Sequence, residues 1–182
     1  MYLLKDLNEK IIKHDLINKY RYKNIKNLPK LKNITLNFGC NNFNIQRFAI
    51  TLLALEIITA RKGSVTASKS ANVLLKIQKG QPAGCKVILE KKDIYKFLNK
   101  LIIENLPRLQ NFSGFKIRIK TSTVSFKLSN KEISLQELNN QYPLFENLPY
   151  LDINILTTAK SYKEILFLLK SIKIPVVHEK KT

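Results

Sequence analysis

The sequence predicts a single α+β domain in which helices cover one face of a mostly antiparallel sheet and leave the other face open. Its 182 residues suit one domain with a real hydrophobic core. Several segments alternate strictly between apolar and polar residues, as half-buried strands do, and others repeat apolar residues at helical spacing. The two kinds of segment do not alternate regularly along the chain, which disfavours a parallel, doubly wound sheet.

The first 60 residues predict a helix, a strand and a second helix. Residues 1–20 have the apolar spacing of a helix with one buried stripe. A break follows, because Pro29 disfavours helical backbone at the residue before it. The segment LKNITLNFG alternates strictly up to its glycine, which predicts a strand over residues 31–39 with one wet face. Residues 42–60 are the most apolar and predict a helix packed on the sheet.

The middle of the chain predicts two strands and the clearest helix. The strands are SVTASKSANVLLKIQKG and GCKVILEKK, on either side of a loop. The helix that follows has apolar residues at i, i+3, i+4 and i+7 counted from Ile94. Asp93 is its candidate cap, and Pro107 lies near its end.

The last third of the chain returns to alternation. FKIRIK and TVSFKLS each predict a strand with one basic or hydroxylic face, and LDINILTTAK predicts the last strand. Ser161 followed by Glu164 is a capping box, which predicts that the final helix begins there. Residues 176–182 are expected to form a frayed tail.

The net charge points to a polyanionic partner. It is +19, from 32 Lys and Arg against 13 Asp and Glu. From Leu16 to Leu89, thirteen basic residues face a single acid, Glu56. Such an excess favours nucleic acid first and an anionic membrane surface second. The most apolar segment carries Arg47 and Glu56, so a membrane span is not expected.

The open face of the predicted sheet is the expected site of binding. Several strands turn Asn, Thr, Ser, Lys and Arg to the side that the helices leave free. Proteins that bind single strands by stacking expose aromatic residues there. Here Phe38, Phe115 and Phe126 are all in the apolar register. We therefore expect contacts with the phosphates, sugars and shape of structured RNA.

No pattern of catalytic, cofactor-binding or metal-binding residues is found. His14 and His178 stand at opposite ends of the chain, without a nucleophile spaced to match. Cys40 and Cys85 lack metal-ligand spacing and are interpreted as reduced thiols. Cys85 alternates with apolar residues, so its side chain is predicted to lie in the interior of the sheet. The sequence GQPAG lacks the Lys-Ser/Thr ending of a phosphate-binding P-loop.

The stretch KIQKGQPAGCKVIL leaves two interpretations open. Its loop, residues 76–84, is either a solvated hairpin tip or a cationic finger that reaches a second RNA.

At these residues the chain resembles a known family, the bacterial-type large-subunit ribosomal protein five. Four stretches carry the resemblance in the family's order: YKNIKNLPKLKNITLNFG, KIQKGQPAGCKVIL, FLNKLIIENLPRLQNFSGF and LDINILTTAK. Together they span about residues 20 to 175. The resemblance implies a noncatalytic protein of the central protuberance whose sheet packs on 5S rRNA, without a cofactor or a metal. It also implies that the loop faces the peptidyl-site tRNA and that the protein contacts its neighbours there and the small-subunit head.

The resemblance and the predicted open face together select the candidate binding residues. Asn37 matches a strand asparagine that looks toward 5S rRNA, and residues 61–70 match a basic segment of the family. The candidate rRNA-binding residues are Asn33, Thr35, Asn37, Arg61, Lys62, Ser64, Thr66, Lys69, Ser70, Lys86, Lys116 and Arg118. The candidate tRNA-binding residues are Lys76, Gln78, Lys79, Gln81 and Pro82.

The sequence departs from the family pattern at several positions. Arg61 stands where the family has glutamine, Gly63 where it has proline, and Ile88 where it has threonine. A glycine-rich loop is replaced by SFKLSNKEISLQEL, and Tyr142-Pro143-Leu144 replaces Phe-Pro-Glu. An organellar ribosome explains such drift, so the mitochondrial matrix is the expected location, with a bacterial cytoplasm as the alternative. The resemblance aligns almost from Met1, with no transit peptide expected in front.

Two other classes of function stay open on the residues alone. An RNA-processing enzyme could use the same basic platform, but it would need a cleft with an acid or histidine pair. A peripheral membrane protein could use the same charge, but no basic amphipathic helix dominates the chain.

Overall fold

A computed structural model of the chain describes residues 3–22, 24–39, 45–71, 73, 78–109, 114–129 and 142–177. Eight strands lie in these ranges: β1 (Leu31–Gly39), β2 (Ser64–Ala67), β3 (Pro82–Glu90), β4 (Phe115–Lys116), β5 (Arg118–Lys120), β6 (Thr123–Leu128), β7 (Leu151–Thr157) and β8 (Val176–Val177). The α-helices are α1 (Leu3–Leu7), α2 (Lys13–Tyr20), α3 (Ile45–Thr59), α4 (Lys92–Asn99) and α5 (Tyr162–Ser171).

Short π-helical and 3₁₀ turns extend these helices or lie between elements. A π-helical turn at Asn8–Ile12 joins α1 to α2, and another at Lys100–Asn105 continues α4. Single 3₁₀ turns lie at Ile25–Asn27, Leu106–Arg108 and Tyr142–Phe145.

Six strands form one sheet in the order β2-β3-β1-β7-β6-β5, and β4 pairs with β8 in a second, two-stranded sheet. The pairs β2–β3 and β5–β6 are antiparallel, whereas β4 and β8 are parallel. This arrangement of helices and a largely antiparallel sheet confirms the predicted α+β class.

The chain divides into two compact units. Unit 1 comprises residues Met1–Ile34, Glu90–Phe126 and Asn154–Thr182, and unit 2 comprises Thr35–Leu89 and Lys127–Ile153. That the whole chain acts as a single domain stays a prediction.

Unit 1 is held together by apolar helix faces and by an aromatic cluster. Ile12, Leu16, Ile94 and Leu98 are almost completely buried, as the helical spacing of the sequence predicts. The Asn8 amide donates a hydrogen bond to the Tyr95 hydroxyl at 2.8 Å, which gives the polar group of Asn8 a partner in a mostly buried position.

The aromatic cluster of unit 1 joins α2 to α5. The rings of Tyr20 and Phe167 meet edge to face at 6.0 Å, and Tyr22 lies 6.2 Å from Tyr20. The Lys19 ammonium lies 4.3 Å from the centre of the Phe167 ring.

The beginning of α5 agrees with the sequence. The capping box of Ser161 and Glu164 is present, and a Glu164 carboxylate oxygen accepts the Ser161 backbone N–H at 3.4 Å. The Asp93 cap is wrong, because α4 begins at Lys92 and its N-cap position is Lys91. Asp93 instead lies in the first turn and pairs with Lys96 at 3.6 Å.

Unit 2 packs α3 on the buried sides of its strands. Phe48, Thr51, Ala54, Leu55 and Ile58 form the buried stripe of α3. Phe38 and Cys85 are completely buried, and the Thr51 hydroxyl lies 3.6 Å from the Cys85 sulfur. The predicted interior position of Cys85 is confirmed, and burial raises the pKa of its thiol.

FKIRIK, predicted as one strand, is two. Phe115 packs on Phe126 with ring centres 4.4 Å apart, and its N–H donates to the Pro175 carbonyl at 2.9 Å. This pairing draws Phe115 and Lys116 to β8, whereas Arg118–Lys120 pairs with β6. The frayed-tail prediction is therefore wrong at Val176 and Val177, and residues 178–182 lie outside the described ranges.

Candidate nucleic-acid interface

In unit 2, the open side of β1, β2 and β3 carries the predicted polar residues. Thr35 and Asn37 of β1 are partly exposed and alternate with buried Leu36 and Phe38. Because successive side chains of a strand point to opposite faces, both belong to the side away from the core. The structure therefore confirms the predicted side for these two residues.

Strand pairing brings three more predicted residues to this side. Ser64 lies opposite Lys86, and Thr66 lies opposite Gly84. The Ser64 hydroxyl donates to the Lys86 carbonyl at 3.2 Å. Directly opposed residues share a face of the sheet, so Ser64, Thr66 and Lys86 form one patch of hydroxyls and an ammonium.

The basic segment of residues 61–70 surrounds β2 at both ends. Arg61 and Lys62 lie in the turn between α3 and β2, and both are exposed. Lys69 and Ser70 follow β2 and are also exposed. Cations at both ends of a short strand can each neutralise a phosphate of a nucleic-acid backbone, and every phosphate neutralised releases counterions.

In unit 1, two of the three predicted residues lie on strands of the six-stranded sheet, Asn33 on β1 and Arg118 on β5. Asn33 is partly exposed on β1. Arg118 is exposed and lies opposite Ser125 of β6, which alternates with buried Val124 and Phe126. Arg118 is therefore on the open side of its strand pair, as predicted.

Lys116 is separated from Arg118, contrary to the prediction that both lie on one basic strand face. Lys116 is exposed, but it pairs with Val177 in the two-stranded sheet. The reason is the break after Lys116, which the burial of Phe115 and its hydrogen bond to Pro175 impose.

Residues 78–81 of the predicted finger form a turn that is tied to the end of β2. The Gln81 N–H donates to the Gln78 carbonyl at 3.2 Å, and the Gln78 N–H donates to the Gln81 side-chain oxygen at 2.9 Å. Gly80, with φ of +88°, supplies the left-handed residue that such a turn needs. Its N–H donates to the Ser68 carbonyl at 3.0 Å, which ties the turn to the residue after β2.

The candidate tRNA-binding residues have different environments. Gln78 and Lys79 are exposed in this turn, and Gln81 is partly exposed. Lys76 lies outside the described residues. Pro82 is the first residue of β3, so assigning it to a protruding loop was wrong. Gly84 lies within that strand, which agrees with the predicted strand GCKVILEKK but not with the loop range 76–84. Strand pairing with Ala67 and Thr66 holds them in the sheet.

Sequence reasoning missed an acid on the open side. Asp152 of β7 alternates with buried Leu151 and Ile153, and its carboxylate lies 3.4 Å from the Lys127 ammonium. The strict alternation of LDINILT already predicts this orientation of Asp152. The ion pair offsets the charge of Lys127, whereas Arg61, Lys62, Lys69 and Lys86 are among the basic residues that keep unit 2 positive.

Along the strands that the structure describes, the open faces carry no stacking aromatic residue, which agrees with the sequence. Phe38, Phe115 and Phe126 are buried to 3% exposure or less. The partly exposed rings of Tyr20, Tyr22 and Phe167 instead join helix faces of unit 1.

Metal-binding and membrane-spanning features are both missing from the part of the chain that the structure describes. No group of three or more His, Cys, Asp or Glu side chains there could hold a metal ion. Within the same ranges, every helix is too short or too polar to cross a membrane.

Comparison with known proteins gives one consistent result. Residues 82–176 match the family model that describes the C-terminus of the ribosomal protein L5 family. The chain is 34% identical over 176 residues to the large ribosomal subunit protein uL5m of Reclinomonas americana, covering 95% of this chain and 97% of that protein. It is 38% identical over 171 residues to uL5c of Gracilaria tenuistipitata var. liui, covering 92% and 94%. It is 34% identical over 175 residues to uL5 of Wigglesworthia glossinidia brevipalpis, covering 94% and 97%.

Proposed function

Because the chain belongs to the uL5 family of large ribosomal subunit proteins, structural and non-enzymatic components of the ribosome, we propose that it binds 5S rRNA and the adjacent large-subunit rRNA of the central protuberance. Family membership excludes the alternative hypothesis of an RNA-processing enzyme, which the basic sheet face alone had left open.

One observation carries the proposal of rRNA binding. The open side of β1–β3 presents Thr35, Asn37, Ser64, Thr66 and Lys86 without a stacking aromatic, and basic residues follow at both ends of β2. Hydroxyl, amide and ammonium groups on one side of a sheet suit the phosphates and 2′-hydroxyls of a folded RNA. In unit 1, Asn33 and Arg118 extend the set of polar and cationic contacts.

The tRNA contact is assigned to the turn at Gln78–Gln81. Lys79 is exposed there, and the turn is fixed by its hydrogen bonds to Ser68. A fixed turn loses little conformational entropy when it meets a ligand, which favours binding. The neighbouring proteins of the central protuberance and the small-subunit head are its further proposed partners.

The mitochondrial matrix is the proposed location. The relatives include a mitochondrial, a plastid and a bacterial form, so a bacterial cytoplasm is the alternative. The support for a mitochondrial ribosome is the set of departures at Arg61, Gly63 and Ile88 in the segments expected to meet rRNA.

Native purification with ultraviolet crosslinking tests the function. The tagged protein is irradiated in cells, purified on large subunits, and the attached RNA is sequenced. Crosslinks in 5S rRNA and the nearby large-subunit helix are expected, with tRNA crosslinks mapping to residues 76–84. Crosslinks scattered over unrelated transcripts, with no enrichment on ribosomes, would overturn the proposal.

A matched control separates specific contacts from the effect of charge alone. A Lys170→Ala protein loses one exposed lysine on α5, a helix that carries none of the candidate residues. Its crosslinking pattern should equal that of the wild type. Crosslinks to large-subunit rRNA without 5S rRNA would mean that the contact is made with another RNA of the same subunit.

A further inference from the structure

Glu56 is an acidic residue next to the proposed RNA-binding surface, where a negative charge does not favour the binding of a polyanion. It is the single acidic residue between Leu16 and Leu89, and it lies in the last turn of α3, close to the exposed cations Arg61 and Lys62. A carboxylate near a phosphate-binding surface lowers the local positive potential. A structural role of its carboxylate would explain why Glu56 is found there.

The carboxylate of Glu56 closes the turn that carries the two cations. Its Oε1 accepts the Gly63 backbone N–H at 3.1 Å. At the other end of the turn, the Ala60 N–H donates to the Glu56 carbonyl at 2.7 Å. The same residue thus holds residue 60 through its backbone and residue 63 through its side chain.

The path of the turn leaves little freedom between these two points. Ala60 has φ of +52°, a left-handed conformation in which the chain turns sharply away from α3. The Arg61 N–H donates to the Thr59 hydroxyl at 3.3 Å, and that hydroxyl donates to the Leu55 carbonyl at 2.7 Å. At Gly63, a Cβ atom would lie 2.7 Å from Cδ1 of Leu52, so the backbone passes directly over the helix.

We propose that Glu56 is a positioning residue for RNA binding. Its carboxylate holds the turn 60–63 so that Arg61 and Lys62 enter the binding surface in a fixed arrangement, immediately before the Ser64–Lys86 pair. The inference rests on the proposed rRNA-binding function and adds a residue that touches no RNA itself. The benefit is preorganisation, because a turn that is already ordered has less entropy to lose on binding.

Positioning of the turn by Glu56 and simple electrostatics predict opposite effects of Glu56→Ala on RNA affinity. Glu56→Ala raises the net charge by one, and on charge alone it should tighten binding to a polyanion. If Glu56 orders the turn, the same substitution weakens binding instead. Glu56→Gln separates the two effects, because its amide oxygen can still accept the Gly63 N–H while the negative charge is gone.

Affinity and salt dependence are measured with a bacterial 5S rRNA transcript, from about 50 to 200 mM KCl, well below the unfolding temperature of each variant. We expect Glu56→Ala to raise the Kd by about three- to tenfold, the loss of about one ordered contact, and to make the salt slope shallower by about one counterion. Glu56→Gln should bind as tightly as the wild type or more tightly. Glu104→Ala is the matched control, since it removes an exposed glutamate from unit 1 and should not weaken binding.

A double-mutant cycle distinguishes positioning from a general loss of stability. In a protein that already carries Arg61→Ala and Lys62→Ala, Glu56→Ala should no longer weaken RNA binding. A general loss of stability would weaken binding in both backgrounds. An equal effect in both backgrounds would therefore overturn the proposal.

Three more results would overturn it: a Glu56→Ala protein that binds RNA as tightly as the wild type, one that binds more tightly, or a Glu56→Gln protein as weak as Glu56→Ala. If Glu56→Ala does not fold, hydrogen exchange in the wild type decides, since the Gly63 amide should be protected and rapid exchange would refute the closure. A wild-type protein that binds no rRNA would overturn the proposed function, whereas tight wild-type binding with an unaffected Glu56→Ala would overturn the positioning role alone.

Discussion

Gly84 of β3 lies so close to the backbone of Phe38 on β1 that it leaves no room for a side chain. A Cβ atom built at Gly84 would be 2.5 Å from the Phe38 carbonyl oxygen and 3.3 Å from the Thr66 hydroxyl. The glycine therefore serves close packing within the sheet, and only Gly80 serves the turn that precedes β3.

We expect Gly84→Ala to destabilise the protein by about 1–3 kcal/mol, the usual cost of overpacking, because the atom in its way is backbone and cannot rotate aside. Urea denaturation measures the difference. Gly39→Ala is the control, since a Cβ at Gly39 would meet nothing within 4 Å. Equal losses in the two variants would contradict the packing role of Gly84.

The environment of Gly84 shows where sequence patterns stop being informative. Two glycines and a proline within five residues predict a loop on composition, and Gly80 fulfils that prediction. The sequence placed Gly84 both at the end of the loop 76–84 and at the start of the strand GCKVILEKK. The close approach of Phe38 depends on how β1 and β3 pair, which no local pattern predicts. The alternation of Cys85, Val87 and Leu89, in contrast, is local and did predict the buried side of β3.

The pairing of β4 with β8 in the two-stranded sheet is a second feature that the local sequence does not predict. Alternation in FKIRIK is compatible with one strand or two, and the break depends on Val176, sixty residues further along the chain. The seven residues of LDINILT, which belong to β7 throughout, were predicted correctly because their alternation is uninterrupted.

The candidate site was predictable to the extent that it depends on strand faces. The open-side positions of Thr35 and Asn37 follow from the alternation of β1, but the proposed positioning role of Glu56 does not follow from any local pattern. The sequence shows only that Gly63 replaces a proline of the family pattern. Proline has no N–H, so the replacement is what allows the bond to Glu56, and only the structure brings the two residues within 3.1 Å.

Thr157→Val should lower the free energy of unfolding by about 1 kcal/mol, the typical contribution of one hydrogen bond. The buried Thr157 hydroxyl donates to the Ser122 carbonyl at 2.8 Å, and the Thr157 N–H donates to the same oxygen at 2.9 Å. Valine keeps the shape and the N–H bond but loses the hydroxyl. Thr123→Val, at a partly exposed position of β6, should change stability by less than about 0.5 kcal/mol. A Thr157→Val protein as stable as this control would refute the contribution.

Alkaline pH should destabilise unit 1 through Tyr22. Burial, and next the neighbouring Glu164 carboxylate, raise the pKa of the Tyr22 hydroxyl well above its ordinary value of 10.0. The unfolded chain then releases its tyrosine proton at a lower pH than the folded chain. The stability contributed by neutral Tyr22 is therefore fully present below about pH 10 and is lost as the pH rises toward the folded-state pKa.

Thermal and urea unfolding between about pH 8 and 11 measure this effect. Tyr22→Phe should make the decline of stability above pH 10 shallower, by up to about one proton. Tyr150→Phe is the control, because Tyr150 is 64% exposed, and it should leave the slope as in the wild type. A Tyr22→Phe slope equal to the wild-type slope would contradict the role of Tyr22.

Lys69→Ala and Arg118→Ala should each weaken binding to a 5S rRNA transcript and make its salt dependence shallower by roughly one counterion, on the scale measured for duplex DNA. Both side chains are exposed, Lys69 after β2 and Arg118 on β5. Binding measured over a range of KCl concentrations gives the slopes, with Lys170→Ala as the control. Unchanged slopes in both variants would refute the proposed binding surface.

Replacing Lys76 and Lys79 together with alanine should leave assembly into large subunits intact while weakening the contact with peptidyl-site tRNA. Lys79 is exposed in a turn that backbone hydrogen bonds fix to Ser68, so its removal takes away a charge without disturbing β2 or β3. Sedimentation of tagged protein measures assembly, and tRNA crosslinking on purified ribosomes measures the contact. Lys69→Ala is the matched comparison, because its loss should instead weaken the rRNA contact. If the Lys76 and Lys79 double variant failed to assemble, the turn would be an anchor on rRNA, and the assignment to tRNA would be wrong.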